Sequence, residues 1–334
     1  MPVRYPERVQ LARLPTPLVR LQRLERELGG GPIWMKRDDL TGLELSGNKV
    51  RKLEYIIAEV LAGGFDTLIT EGTPQSNHCR ATAAACAKTG LHAHLLLRPP
   101  PGAAPPQGNH LLNTLFGAEM HTCSRELMNA ERDRIVADAI HREAQQGRKA
   151  RFTPMGASEP LGCWGYLRAA AELADQLHAA GIERCDVLTA VSSGGTHAGL
   201  VLGKLVHHLD HLRIHAVPVS DDTPFHRASV GKLCRAAIEE FAMPAVFRDS
   251  ELSFIDGYVG GGYAVPYQAA LDAIRLLART EAIVLDPVYT AKAFCALIDG
   301  VRNGRFGRDC PVVFIHTGGI FSDFAWPELL AGQA

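Results

Sequence analysis

The stretch Cys185-Asp186-Val187-Leu188-Thr189-Ala190-Val191-Ser192-Ser193-Gly194-Gly195-Thr196-His197-Ala198-Gly199 decides the architecture. Residues 186–191 are a short aliphatic and β-branched run of strand type. Residues 195–208 carry a helical period, so the Ser-Ser-Gly-Gly between them is a strand-to-helix turn. Glycines there let backbone N–H groups close around an anion at a helix N-terminus, and Ser193 and Thr196 add hydroxyl donors. The turn has neither the Gly-Lys-Ser/Thr ending of a nucleoside-triphosphate loop nor the spacing of a dinucleotide fingerprint. It suits the phosphate of something smaller than a nucleotide, with a plain tight turn as the alternative.

Outward from this turn the same alternation continues. Residues 33–36, 67–70, 92–97, 119–122, 214–217, 282–285 and 312–316 read as further strands. Residues 49–61, 77–88, 125–146, 162–179, 266–279 and 290–303 read as helices. Strands alternating with helices predict an α/β fold with a mainly parallel sheet. Loop-like composition marks residues 99–108 and 257–266, and there is no internal repeat or low-complexity tract. With 334 residues the chain can bury a core without disulfide or metal staples. Lys plus Arg (35) nearly balance Asp plus Glu (36), so no positive excess exists to hold nucleic acid or an acidic membrane surface. The eight cysteines stand singly, without zinc-site or redox spacing, which predicts no metal and a reducing compartment. No apolar run reaches the length of a signal peptide or a membrane span, so a cytoplasmic protein is expected.

Four more segments carry chemistry. In Ser46-Gly47-Asn48-Lys49-Val50-Arg51-Lys52 a lysine opens a helix, where the positive end of the dipole favours the neutral amine that condenses with an aldehyde. A solvated charged helix face is the plainer reading. Glu71-Gly72-Thr73-Pro74-Gln75-Ser76-Asn77-His78 brings hydroxyl, amide and backbone N–H groups to another helix start, fit for a substrate carboxylate or simply an N-cap. Asp286-Pro287-Val288-Tyr289-Thr290 and His316-Thr317-Gly318-Gly319 follow strands and read singly as turns. In an open parallel sheet, however, ligands sit beyond the carboxyl ends of the strands, which is where all of these motifs fall.

Together with Lys36-Arg37-Asp38-Asp39-Leu40-Thr41-Gly42, these motifs occur in the order of the D-cysteine desulfhydrase and aminocyclopropane-carboxylate (ACC) deaminase family, which the chain resembles over nearly its whole length. The resemblance implies a tryptophan-synthase-β-like fold (fold type II of the pyridoxal-phosphate enzymes) and pyridoxal 5'-phosphate (PLP) as cofactor. It further implies a large domain of residues 1–49 and 157–334, a small domain of 50–156, and a homodimer. Lys49 would carry the cofactor and act as catalytic base. Asn77 would hold the ring hydroxyl, and Ser76, Gln75 and His78 would face the substrate. Ser193, Gly194, Gly195 and Thr196 would hold the phosphate with Lys52 adding charge, and Tyr263 and Tyr289 match the family's two active-site tyrosines.

Some positions depart from the family pattern. Ser46-Gly47 stands where many members have two glycines, and Thr73-Pro74 replaces a small apolar pair. The deaminases carry a glutamate and an aliphatic residue where this chain has Thr290 and Thr317. A carboxylate at the pyridine nitrogen would deepen the electron sink for opening a cyclopropane, whereas a hydroxyl, from Thr317 or failing it Thr290, suits prompt elimination of a good leaving group. The expected activity is α,β-elimination from a small amino acid, D-cysteine first, giving pyruvate, ammonia and hydrogen sulfide. ACC, cysteate and other β-substituted alanines are the alternatives within the family. Outside this chemistry stand a non-catalytic PLP-binding protein, disfavoured by the full substrate cradle, and a Rossmann nucleotide binder, disfavoured by the missing fingerprint.

Overall fold

In a computed structural model describing residues 3–99 and 106–331, the Ser-Ser-Gly-Gly turn joins a strand at Cys185–Val191 to a helix at Gly195–Val206. In chain order the elements are β1 (Leu18–Arg20), α1 (Gln22–Leu28), β2 (Ile33–Lys36), α2 (Lys49–Ala62), β3 (Thr67–Gly72), α3 (Asn77–Thr89), β4 (His92–Leu97) and α4 (Gly108–Leu115). There follow β5 (Glu119–Thr122), α5 (Arg125–Gln145), β6 (Ala150–Phe152), α6 (Pro160–Ala179), the strand and helix above as β7 and α7, β8 (Leu212–Pro218) and α8 (Thr223–Glu240). The chain closes with β9 (Ser253–Phe254), α9 (Gln268–Glu281), α10 (Thr290–Arg302), β10 (Val312–Ile315), α11 (Ile320–Asp323) and α12 (Pro327–Ala331).

Two sheets form. One has six strands in the order β1-β2-β10-β7-β8-β9, drawn from both ends of the sequence, and the other has four in the order β5-β4-β3-β6, drawn from residues between them. Every pairing is parallel except β1 with β2. Strands covered by helices on both faces lose the polar alternation of an exposed sheet, and β10 (Val-Val-Phe-Ile) and β3 are buried at every position. Helices α2 and α6 share one large apolar core with β3, β4, β7 and β8. The two sheets are thereby fastened through side chains rather than through strand pairing.

Beneath the first turn of α2 lies a dry ionic network. Arg51 donates to both oxygens of Asp38 (2.8 and 2.9 Å) and to both of Glu172 (2.9 and 3.0 Å). Lys36 Nζ meets Glu172 at 2.5 Å, and the Tyr166 and Thr16 hydroxyls complete the Asp38 carboxylate. With Arg51 1 % and Asp38 0 % exposed, the pair is costly to desolvate but fixes geometry, because losing one member strands a buried charge. The start of α2 is thus clamped to β2 and α6.

Residues 282–285 are not a strand. Ala282 is the left-handed cap of α9 (φ 55°), the chain turns again at Asp286, and the Val284 carbonyl bonds the His316 side chain at 2.9 Å. Ile283 and Leu285 are nonetheless buried, so the apolar run reflects core packing without a ladder. Sequence patterning also passes over α1, α4, α8, β1, β6 and β9, while most of the 99–108 loop lies outside the described residues. Among the described residues no helix is long and apolar enough to cross a membrane.

Candidate active site

The strand-end motifs converge on one cleft, partly open to solvent. The six-stranded sheet contributes Ser192, Ser193, Gly194 and Thr196 after β7, Thr317 after β10, Asn48 and Lys49 at the start of α2, and Tyr263 and Tyr289. The four-stranded sheet contributes Gly72, Thr73, Ser76, Asn77 and His78 between β3 and α3.

At the β7–α7 turn Gly194 is left-handed (φ 91°) and has no side chain to cap the helix, so apart from Gly195 N the first N–H groups of α7 are left for something else. A Cβ on Gly195 would stand 2.8 Å from Lys52 Nζ and 2.8 Å from Ser158 Oγ. Glycine is therefore what lets the ammonium and the hydroxyl approach this backbone. Ser158 Oγ accepts from Gly195 N at 3.1 Å and donates to Ser193 Oγ at 2.8 Å. Lys52 Nζ rests on the Gly156 carbonyl at 3.1 Å, and burial, reinforced by Lys49, holds its amine well below the ordinary lysine range. An anion here would relieve that cost by restoring its charge.

Burial likewise lowers the Lys49 amine to about 8, and among the described residues no carboxylate stands by to restore its charge. Asn48 beside it donates to Thr196 Oγ1 at 2.9 Å, and Asn48 N donates to the Thr317 carbonyl at 3.0 Å. These bonds tie the lysine loop to the ends of β7 and β10. Lys49 is thus positioned by two other strand ends as well as by the network around Arg51.

On the opposite wall the N-cap and recognition readings of Ser76 coexist. Its hydroxyl accepts from Cys79 N at 3.2 Å and also lines the cleft. Asn77 Oδ1 accepts from Asn109 Nδ2 at 2.9 Å, which leaves the Asn77 amide donors for the cleft. His78 pairs with Thr70 Oγ1 at 2.8 Å, and burial together with Lys49 and Lys52 drives its imidazole well below the usual histidine range, so it is neutral. Gln75 is turned away from the cleft, contrary to expectation. Its amide donates to the Gln107 carbonyl (2.9 Å) and accepts from Asn109 N (3.0 Å), so its polar atoms fix the start of α4.

Tyr263 and Tyr289 bring their hydroxyls to 2.5 Å. Burial raises both, and contact with Tyr263 raises Tyr289 well above the usual phenol, so both keep their protons at neutral pH. Thr290, by contrast, lies outside the cleft. Fully buried, it donates to Asp286 Oδ1 at 2.7 Å and accepts from Asp286 N at 2.8 Å, closing the turn that presents Tyr289. Of the two threonines, Thr317 is the one that lines the cleft.

Residues 9–318 match the model of the pyridoxal-phosphate dependent enzyme family. The chain belongs to that family. D-cysteine desulfhydrase of Salmonella paratyphi A is 39 % identical over 327 residues, 97 % of each protein, and that of Salmonella newport is 40 % identical over the same share. The crystal structure of an ACC deaminase homologue superposes with a TM-score of 0.85 at 36 % identity, covering 98 % of this chain and 96 % of the other.

The cleft fits the cofactor of this PLP-dependent enzyme. The turn with its glycine clearance and the buried Lys52 amine, which no carboxylate pairs among the described residues, suit a phosphate, while Lys49, Asn77 and Thr317 supply an amine, an amide and a hydroxyl around the remaining space. Sequence reasoning missed Asn48, Asn109, Gly156 and Ser158. Ser158 follows a 3-10 turn at Met155–Ala157 and carries no local signature. Asn48, adjacent to Lys49 in the motif, was open to discovery.

Proposed function

We propose that this enzyme converts D-cysteine and water to pyruvate, ammonia and hydrogen sulfide. The observation that carries the reading is identity at 39–40 % along 97 % of both chains to proteins named D-cysteine desulfhydrase. Thr317 supports elimination over ring opening, because it brings a hydroxyl and no carboxylate to the cleft. When bound, PLP supplies an electron sink for the bond breaking at the substrate's α-carbon. Lys49 holds the cofactor and moves the α-proton, a task for which an amine near 8 is matched to neutral pH. Ser76, Asn77 and the neutral His78 at the start of α3 bind the substrate carboxylate. Tyr263 and Tyr289, both protonated, face the departing sulfur and donate to it.

In the domain arrangement we favour, the unit of 1–49 and 157–334 holds the cofactor and the unit of 50–156 presents the substrate cradle. The eight cysteines, all free and all but Cys123 buried, support a cytoplasmic setting, and a homodimer is the assembly we expect.

The decisive experiment incubates the purified holoenzyme with D-cysteine, L-cysteine, cysteate and ACC and follows pyruvate, 2-oxobutyrate and sulfide. Pyruvate with stoichiometric sulfide from D-cysteine, and little 2-oxobutyrate from ACC, is the expected result. Equal rates on ACC would overturn the assignment and shift attention from Thr317 to another group governing the ring nitrogen. Borohydride should fix the cofactor to the peptide containing Lys49.

A further inference from the structure

Outside the cleft lining, the four-stranded sheet gathers a second set of groups that the reaction does not use. Strand β4 begins His92-Ala93-His94 and β5 contains Glu119-Met120-His121, two pairs at strand spacing that each put alternate residues on one face. The strands run parallel with His94 opposite Glu119 and Leu96 opposite His121. Donor atoms of His94, Glu119 and His121 all fall within 4.8 Å of one another. The His94 and His121 rings lie 4.6 Å apart, and His121 Nδ1 is 3.6 Å from Glu119 Oε1.

The tautomer of His94 is fixed from behind. Glu143 of α5 is 0 % exposed and lies 2.6 Å from His94 Nδ1. Its other oxygen accepts from Arg148 Nε, and a carboxylate paired in this way can only accept. His94 Nδ1 therefore carries the proton. With the proton on Nδ1, the neutral ring leaves Nε2 with a free lone pair. That nitrogen is buried and has no hydrogen-bond partner among the described residues, and the same holds for His121 Nδ1. An orphaned acceptor on a side chain 0 % exposed is costly unless something binds it.

We propose that His94, Glu119 and His121 bind a divalent transition-metal cation of the zinc class. Imidazole with one carboxylate is a ligand set for such ions, and a carboxylate behind a histidine is their usual outer support. Bonds of about 2.0–2.2 Å place tetrahedral ligands roughly 3.4 Å apart, so donor atoms up to 4.8 Å apart must close by up to about 1.4 Å. Glu119 and His121 are 30 % and 41 % exposed and can make that movement, with Glu119 pivoting about the oxygen that meets His92 Nε2 at 3.1 Å and Arg148 Nη2 at 3.4 Å, whereas His94 is the fixed point. Water would complete the coordination from the solvent side. The cation would join β4 to β5 and leave the PLP cleft untouched.

The test uses chelator-treated holoenzyme titrated with zinc chloride by calorimetry, with magnesium chloride as the contrasting ion. One equivalent of zinc per chain is expected, with no comparable magnesium binding. His121→Ala and Glu119→Gln, both at partly exposed positions, should each weaken zinc binding by about tenfold or more, as should Glu143→Gln through loss of the outer support. Zinc should raise the melting temperature of the wild type and not of the His121→Ala variant. Visible absorbance of the bound cofactor checks that each variant is folded. Absence of zinc binding by the wild type, or undiminished binding by folded His121→Ala and Glu119→Gln, would sink the proposal.

Discussion

The turns after β7 and β3 both lead into a helix N-terminus facing the same cleft, yet they are built in opposite ways. At Gly194 and Gly195 the turn carries no side chain of its own, Ser158 takes only Gly195 N, and the next N–H groups of α7 remain available for an anion. At Ser76 a hydroxyl satisfies Cys79 N, and the side chains of Asn77 and His78 are what the turn presents to the cleft. The first construction is selective for charge and closeness, and suits a group that stays in place. The second is selective for shape, and suits one that must come and go.

The contrast can be broken most sharply at Gly195. Gly195→Val places atoms where Lys52 Nζ and Ser158 Oγ now stand and should forfeit one or two charge-assisted hydrogen bonds, about 2–3 kcal/mol, or roughly a hundredfold in PLP affinity. Visible absorbance after dialysis measures the loss, and full retention of cofactor would move the phosphate elsewhere. Ser76→Ala tests the other turn. Loss of the cap should cost about 1 kcal/mol, lowering the melting temperature of this 334-residue chain by roughly 1–2 °C, and should raise KM for D-cysteine while PLP content stays at wild-type level. A variant that lost PLP as readily as the glycine variant would erase the distinction between the turns.

A smaller effect concerns the lysine between them. Its protonated form is disfavoured by burial, so the neutral fraction of the apo-protein grows as pH rises through about 8 instead of 10.5. Cofactor uptake by stopped-flow absorbance should accelerate between about pH 7 and about pH 9 and then level. An acceleration continuing towards the ordinary lysine range would mean that burial does not tune this amine.

The same contrast marks how far sequence reading reaches. Motifs contiguous in the chain were legible, since Lys49, Ser76, Asn77, Ser193, Gly194 and Thr196 all sit where a strand gives way to a helix, and most strands could be located from their aliphatic runs. Ser158, Asn109 and Gly156 were not, because their roles arise only when a loop folds against a turn distant in sequence. Gln75 was misread because neighbours in a motif need not point the same way, and the bonds that turn it aside come from Gln107 and Asn109. Residues 282–285 misled because apolar burial and ladder pairing leave the same composition. Helix α8 escaped although Asp222 and Pro224 supply a sound N-terminal signal, since the buried His226 and mid-helix Gly231 blur its apolar stripe.

The dry network of Arg51, Asp38, Glu172 and Lys36 carries an evolutionary consequence. A single change within it strands a charge at a cost of about 3–5 kcal/mol, so the lysine end of the site resists gradual substitution. The β3–α3 turn hangs from the other sheet and contains no such network, and a change there disturbs one cap or one amide at a time. A lineage adapting to a new amino acid would therefore find its permissive mutations at residues 73–78, with the aldehyde chemistry carried along unchanged.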